Sequence, residues 1–295
     1  MKQLLGDNQF FGINHYDLAK GEKNKNQFNS SESISKFITD VITIGLDGFM
    51  INSKKLGYEV INQINISQDK EIHYSIPYPN KFASLVNEQG MLSLINYLLK
   101  NGTAKNLFVK MPMFITTRKI KHILPLLVDL EIPAKLPKGS YVYLQNLVTD
   151  FAFGLKRFDL IHEYCRVILR KGYKPGLITL NPVLAAESIQ SLPASIRCEI
   201  VICFNLNSSG FNVFPTLESV EKFAKTSHEF KKMAMSILSS GGAKSIDNSL
   251  SYIRDLPLDY VVYGSSKLKN IEYNYHKLRN LKLKKIHEYS THSQR

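Results

Sequence analysis

The chain is 295 residues long, 44% of them hydrophobic, with 38 basic against 25 acidic side chains and a formal charge of +13. This hydrophobic share builds a globular core, and the length can be accommodated in one large domain. No window approaches the roughly 18 uninterrupted apolar residues of a membrane span, and the N-terminus Met1-Lys2-Gln3-Leu4-Leu5-Gly6-Asp7 lacks the apolar stretch of a secretory signal, so a cytoplasmic location is expected.

Along the chain, short β-rich apolar runs alternate with longer helical patterns. Strands are predicted at Gln3–Leu5, Gly48–Ile51, Glu71–Ile76, Tyr141–Leu144, Gly176–Leu180, Glu199–Phe204, Lys232–Leu238 and Tyr260–Tyr263. Helical periodicity falls between them, for example at Ser33–Ile44, Phe158–Arg170, Leu217–Thr226, Ile246–Arg254 and Leu268–Leu281. A βα order without hairpins, repeated eight times, predicts the α/β class and a single closed (β/α)8 TIM barrel over residues 1–295.

The stretch 82–139 is longer than one crossover requires, so it is expected to hold a helical insertion after the third strand, with a ninth strand as an alternative at Asn106–Lys110. Within it, Ile115–Leu127 alternates basic and aliphatic residues at roughly helical spacing. That pattern suits either a helix packed on the barrel with its lysine stems laid along apolar surface, or peripheral contact with an anionic membrane. No zinc spacing, aromatic ribonucleoprotein pair or basic zipper accompanies the positive charge, so no specific nucleic-acid partner is expected. The three cysteines, Cys165, Cys198 and Cys203, lie among apolar residues and are expected to be reduced and buried, and no metal-binding spacing of His, Cys or Glu is present.

In such a barrel the functional residues lie at the C-terminal ends of the strands. The corresponding positions are Asp7, Asn8 and Gln9; Asn52 and Ser53; Tyr78, Asn80 and Lys81; Gln145 and Asn146; Asn181; and Asn205 and Asn207. Asn and Gln both donate and accept, which suits a polyhydroxylated ligand, so Asn8, Asn52, Gln145, Asn146, Asn181, Asn205 and Asn207 are candidate substrate-binding residues. Each could instead cap a helix or satisfy a loop backbone. Proton transfer must fall to the few ionisable groups nearby: Asp7 as general base or hydroxyl anchor, His15 as acid or base, and Lys81 as an oxyanion partner or Schiff-base amine.

After the last two strands come Ser239-Ser240-Gly241-Gly242-Ala243 and Gly264-Ser265-Ser266, small-residue turns that let backbone N–H groups and a helix start face an anion. Gly241, Gly242, Gly264, Ser265 and Ser266 are therefore candidate phosphate-binding residues, and a small phosphorylated substrate is the expected ligand.

The blocks Leu4-Leu5-Gly6-Asp7-Asn8-Gln9-Phe10-Phe11-Gly12, Gly45–Asn52 and Gly264-Ser265-Ser266 with Asn270, Ile271 and Glu272 resemble the aldo-keto reductases. The resemblance implies a TIM barrel whose last turn grips a phosphate of NADP. It departs where the family's catalytic aspartate and tyrosine belong, because this chain has Asn52 and Leu56 there, and no lysine stands in His73–Tyr78. The chain also resembles a group of barrel proteins without an assigned activity that open with Gly-Asp-Asn-Gln-Phe-Phe-Gly and Asn14-His15. Shared features there are Pro77-Tyr78 with Lys81, the block Leu144–Asp150, and Asn207 followed by Gly210-Phe211; this adds Asp150 as a candidate.

Three functions follow as expectations. The first is an enzyme acting on a phosphorylated or nucleotide-linked sugar by lyase, epimerase or aldolase-type proton transfer. The second is an NADP-dependent oxidoreductase with a rearranged catalytic set, and the third is a barrel that binds without turnover.

Overall fold

The structure, a computed structural model, describes residues 1–14, 18–76 and 124–279. Eight parallel strands close in chain order into a barrel: β1 (Lys2–Leu5), β2 (Gly48–Asn52), β3 (Glu71–Ile76), β4 (Tyr141–Leu144), β5 (Lys174–Thr179), β6 (Val201–Asn205), β7 (Lys231–Met235) and β8 (Tyr260–Tyr263). Closure is made by β1 against β8, with Lys2 opposite Tyr260 and Leu4 opposite Val262. The strands are apolar almost throughout because both faces are buried, one against the helices and the other inside the barrel.

Strand alternation divides the core in two. Leu5, Phe49, Ile51, Val142, Leu177, Ile202, Phe204 and Val261 point outward and pack with helix residues such as Ile34, Ile38, Ile161, Ile168, Val220, Leu250 and Ile271. Leu4, Met50, Tyr141, Tyr143, Ile178, Val201, Cys203, Met233 and Tyr260 fill the barrel itself. Each such buried side chain contributes about 1.5–3 kcal/mol relative to exposure.

The barrel interior also holds a polar column. Glu71 takes the Lys2 ammonium at 2.5 Å and the His73 Nε2 at 3.3 Å, and His73 Nδ1 meets the Tyr143 hydroxyl at 2.8 Å. The His73 ring stacks on Tyr141 at 4.7 Å, and the Tyr141 hydroxyl accepts from Lys231 at 2.9 Å and from Tyr260 at 3.2 Å. Gly176 makes this packing feasible, since a Cβ there would lie 2.3 Å from the Tyr143 ring.

Among the described residues the helices are α1 (Leu18–Gln27), α2 (Ser31–Ile44), α3 (Lys55–Gln63), α4 (Leu124–Glu131), α5 (Asn146–Gly154), α6 (Phe158–Arg170), α7 (Pro182–Ile189), α8 (Ala194–Arg197), α9 (Leu217–Lys225), α10 (Ile246–Arg254) and α11 (Leu268–Leu278). Two of them, α1 and α5, are additions at the mouth. The 13-residue α6 is about 20 Å long and by itself returns the chain from mouth to floor. The preceding α5 accordingly lies across the C-terminal end of β5, where Asp150 receives hydrogen bonds from Thr179 Oγ1 at 2.5 Å and from the Leu180 N–H at 3.0 Å. In the same way α2 is the return helix, and α1 packs against a short 3-10 helix, Asn8–Phe11.

Several expectations are corrected. β7 ends at Met235, three residues short of the predicted Leu238, because the chain bends at Ser236, which has a positive φ of 58°. Cys165 and Cys203 are buried, but Cys198 is exposed, at the end of the four-residue α8. The predicted strand at Asn106–Lys110 and most of 82–139 lie outside the described residues; the described end of that stretch contains α4. Among the described residues no helix is long and apolar enough to cross a membrane.

Candidate active site

The β1 loop brings the first candidate group to the barrel mouth. After β1, Gly6 and Asp7 lead into the 3-10 helix, whose carbonyl-bonded turn closes at Gly12 with φ of 68°, in the left-handed region that glycine tolerates. Phe10 anchors the loop edge-on against Phe28 at 4.9 Å and Phe37 at 5.9 Å, so that the loop, the α1–α2 junction and α2 share one aromatic cluster. Gln9 is buried, donates to the Gly6 carbonyl at 2.6 Å, and lies so close over Gly264 that a Cβ there would come within 2.2 Å of Gln9 Oε1. The β1 and β8 loops are thus fitted to each other.

Held this way, Asp7 faces the end of β2. Its Oδ2 accepts from the Asn52 backbone N–H at 2.8 Å and from Asn52 Nδ2 at 2.7 Å. The orientation of the amide follows from its other end: the Lys54 N–H can only donate, and it meets Asn52 Oδ1 at 3.0 Å, leaving the NH2 for Asp7. Burial raises the Asp7 pKa from 3.8 to about 6, outweighing the Asn52 bonds and the Lys54 charge, which pull it down. A carboxyl that exchanges its proton near neutral pH, at the mouth of a barrel, is equipped for acid–base chemistry.

Other mouth side chains are occupied with one another or with backbone. Gln145 Nε2 donates to Ser75 Oγ at 2.9 Å, joining β3 to β4. Asn146 starts α5, and Asn8, exposed, starts the 3-10 helix. Asn181 caps α7 through the Leu184 N–H at 3.1 Å. Asn205 donates to the Asn212 carbonyl at 2.8 Å, whereas Asn207 uses both ends of its amide, donating to the Phe211 carbonyl and accepting from Ser209 and the Phe211 N–H. Ser209 in turn meets Ser239 at 2.8 Å, tying the β6 and β7 loops together. Asp150 braces α5 against β5, and burial raises its pKa. His15 and Lys81 lie outside the described residues.

The two small-residue turns differ. Ser239–Gly241 forms its own 3-10 turn, in which the Gly241 and Gly242 N–H groups donate back to Leu238 and Ser239; the following α10 is separately capped by Ser245. Gly264, Ser265 and Ser266 lead directly into α11, whose first turn receives no side-chain cap, and Ser265 Oγ accepts from the Lys267 N–H and Asn270 Nδ2, each at 3.2 Å. The second turn therefore presents the open helix start that an anion requires. Residues not anticipated from sequence are Ser75 and Lys54 as partners of Gln145 and Asn52, and the fit of Gln9 against Gly264 was not anticipated either. Period-two alternation from Glu71 and His73 places Ser75 on the barrel interior, a signal the sequence does carry.

No protein-family model matches the sequence, and no curated protein sequence matches it. Two solved structures of a "putative aldo-keto reductase" from Pseudomonas aeruginosa are similar to the chain, each with a TM-score of 0.54 and 10% sequence identity over 95% of this chain and 90% of the other. Their closed barrel is the fold found here.

Proposed function

We propose that the chain is an aldo-keto-reductase-like oxidoreductase that uses NADP and in which Asp7 is the proton-handling group. The observation that carries this reading is the Asp7–Asn52 pair. In the family that the chain resembles, the end of β2 bears a catalytic aspartate; here Asn52 occupies that position and holds the Asp7 carboxylate 2.7 Å away. The carboxyl function is kept at the site but supplied from the β1 loop. Leu56, where the family has its tyrosine, packs against the core, and among the described residues Asp7, near pKa 6, is the group suited to act as the acid.

A dinucleotide phosphate suits the β8 turn. Gly264 leaves no room for a side chain beside Gln9, the α11 start is uncapped, and the exposed Lys267 and Lys269 supply positive charge. Bound there, the dinucleotide would provide the hydride. The chain's own contribution is to orient the carbonyl substrate at the mouth and deliver a proton to its oxygen from Asp7.

The test is NADPH consumption with a panel of carbonyl compounds. Turnover is expected in the wild type and a loss of roughly 10²–10⁴-fold in kcat/KM in Asp7→Asn. Because a general acid acts protonated, kcat/KM should fall as pH rises through about 6. Full activity in Asp7→Asn would exclude the assignment. The reading of a lyase or epimerase acting on a phosphorylated sugar draws its support from the hydroxyl-matching Ser75–Gln145 and Asp7–Asn52 pairs. It would be favoured by turnover of a phosphosugar without added dinucleotide.

A further inference from the structure

Among the described residues, large apolar side chains are left exposed on several elements, Leu18 of α1, Ile246 of α10 and Leu268 of α11 among them, and one group is concentrated after β4, β5 and β6. Along α5, Leu147, Phe151 and Leu155 recur at every fourth residue and are 60%, 67% and 57% exposed, whereas Thr149, Ala152 and Phe153 on the opposite face are buried. Val183 at the start of α7 is 41% exposed, and Phe214 in the β6 loop is 54% exposed. These residues follow β4, β5 and β6, three adjacent strands, and α5 touches α7, so they form one sector of the rim at the mouth. Exposed apolar clustering on this scale marks an interaction surface.

Exposed lysines cluster on other described parts of the rim, together with the exposed Leu18, Ile246 and Leu268. Lys23 and Lys25 on α1, Lys55 after β2, Lys244 after β7, and Lys267 and Lys269 after β8 are all exposed. Gln27 of α1 donates to the Ser266 carbonyl, which places the α1 lysines beside the β8 loop. Exposed apolar side chains beside lysines on one face, on a chain with a formal charge of +13, are complementary to a surface that is anionic outside and apolar beneath.

We infer that the mouth face of the barrel docks on an anionic phospholipid bilayer, with Phe151 and Phe214 entering the interface and the lysine arc lying over the headgroups. The inference does not rest on the proposed reaction, although it shares the mouth face and Lys267 and Lys269 with the proposed site; the tested Phe151 and Phe214 belong to the docking face alone.

The full-length protein is tested by cosedimentation with vesicles of phosphatidylcholine mixed with phosphatidylserine and with vesicles of phosphatidylcholine alone. Expected is preferential binding to the anionic vesicles, weakened by salt, and about tenfold less of it in Phe151→Asp/Phe214→Asp, a loss of roughly 1.4 kcal/mol. Unfolding temperature and sedimentation velocity are measured on the same samples. Absence of binding to anionic vesicles, or equal binding by the double variant, would overturn the inference. So would a wild-type dimer that becomes monomeric in the variant, which would make a second copy the occupant, or a large drop in unfolding temperature, which would show the phenylalanines covered by the chain's own residues.

Discussion

Asp7 and Asn52 show how one amide can set the chemistry of a carboxyl. The Lys54 N–H fixes the amide, the amide holds one carboxylate oxygen, and burial does the rest, moving Asp7 to about 6. Replacing Asn52 by Asp would put two carboxyls within hydrogen-bond distance, and such pairs cannot both ionise freely. Asn52→Asp is therefore expected to move the pH limb of kcat/KM above 6; an unchanged limb would show that Asp7 does not control it. The raised pKa has a cost in stability as well. The folded state holds the Asp7 proton more tightly than the unfolded chain, so stability declines as pH rises from 3.8 through about 6. Asp7→Asn should then melt higher than wild type above this window, with the gain shrinking as pH falls through it. Asp7 was legible from sequence as the lone carboxylate at a strand end. Its partner's role was not, because a hydrogen bond over 45 positions depends on how β1 and β2 align. The engagement of Asn181 and Asn207 was likewise hidden, since caps and loop braces use the same residue type as ligand contacts.

At the scale of elements, strands were more legible than helices. Strands doubly buried in a parallel barrel read as continuous apolar runs, and β3, β4 and β8 coincide with their predicted bounds. The mouth helices α1 and α5 were missed for opposite reasons: α1 is almost wholly polar, and α5 carries apolar residues on both faces. Position in the fold, rather than amphipathic pattern, defines them. Because Phe28 at the α1–α2 junction packs on Phe10 at 4.9 Å and Phe37 at 5.1 Å, it bears on the site through the β1 loop. Phe28→Ala is expected to cost about 3–5 kcal/mol and to lower activity in the fraction that remains folded, read by thermal unfolding and steady-state kinetics. Loss of stability with unchanged kinetics would separate the cluster from the site.

For the molecule as a whole, eight βα repeats in the sequence became a closed eight-stranded barrel, and the turn after β8 leads into a helix whose start has no side-chain cap. What repetition could not show is how the barrel is filled. His73 sits wholly buried between Glu71 and Tyr143. Burial holds its pKa below 6.5, against the pull of Glu71. The unfolded chain therefore takes up a proton that the folded chain refuses, and this contribution to stability is lost as pH falls below 6.5. His73→Gln should be less stable than wild type at alkaline pH but lose less as pH is lowered; parallel curves would mean that the ring does not titrate on unfolding. The Asp7 effect has the opposite sign between 3.8 and about 6, within the range below 6.5 where His73 acts, so both variants are needed to separate them.

The reductase reading meets its most direct test in thermal unfolding of wild type and Gly264→Asp with NADPH, NADH and sugar phosphates. A ligand at one hundred times its dissociation constant stabilises by about 2.7 kcal/mol, a shift of several degrees. Expected is a selective rise with NADPH in the wild type, absent in Gly264→Asp, whose new carboxylate intrudes on the turn beside Gln9. No shift with either dinucleotide, together with a clear shift from a phosphosugar, would contradict the account and return the barrel to sugar-phosphate chemistry.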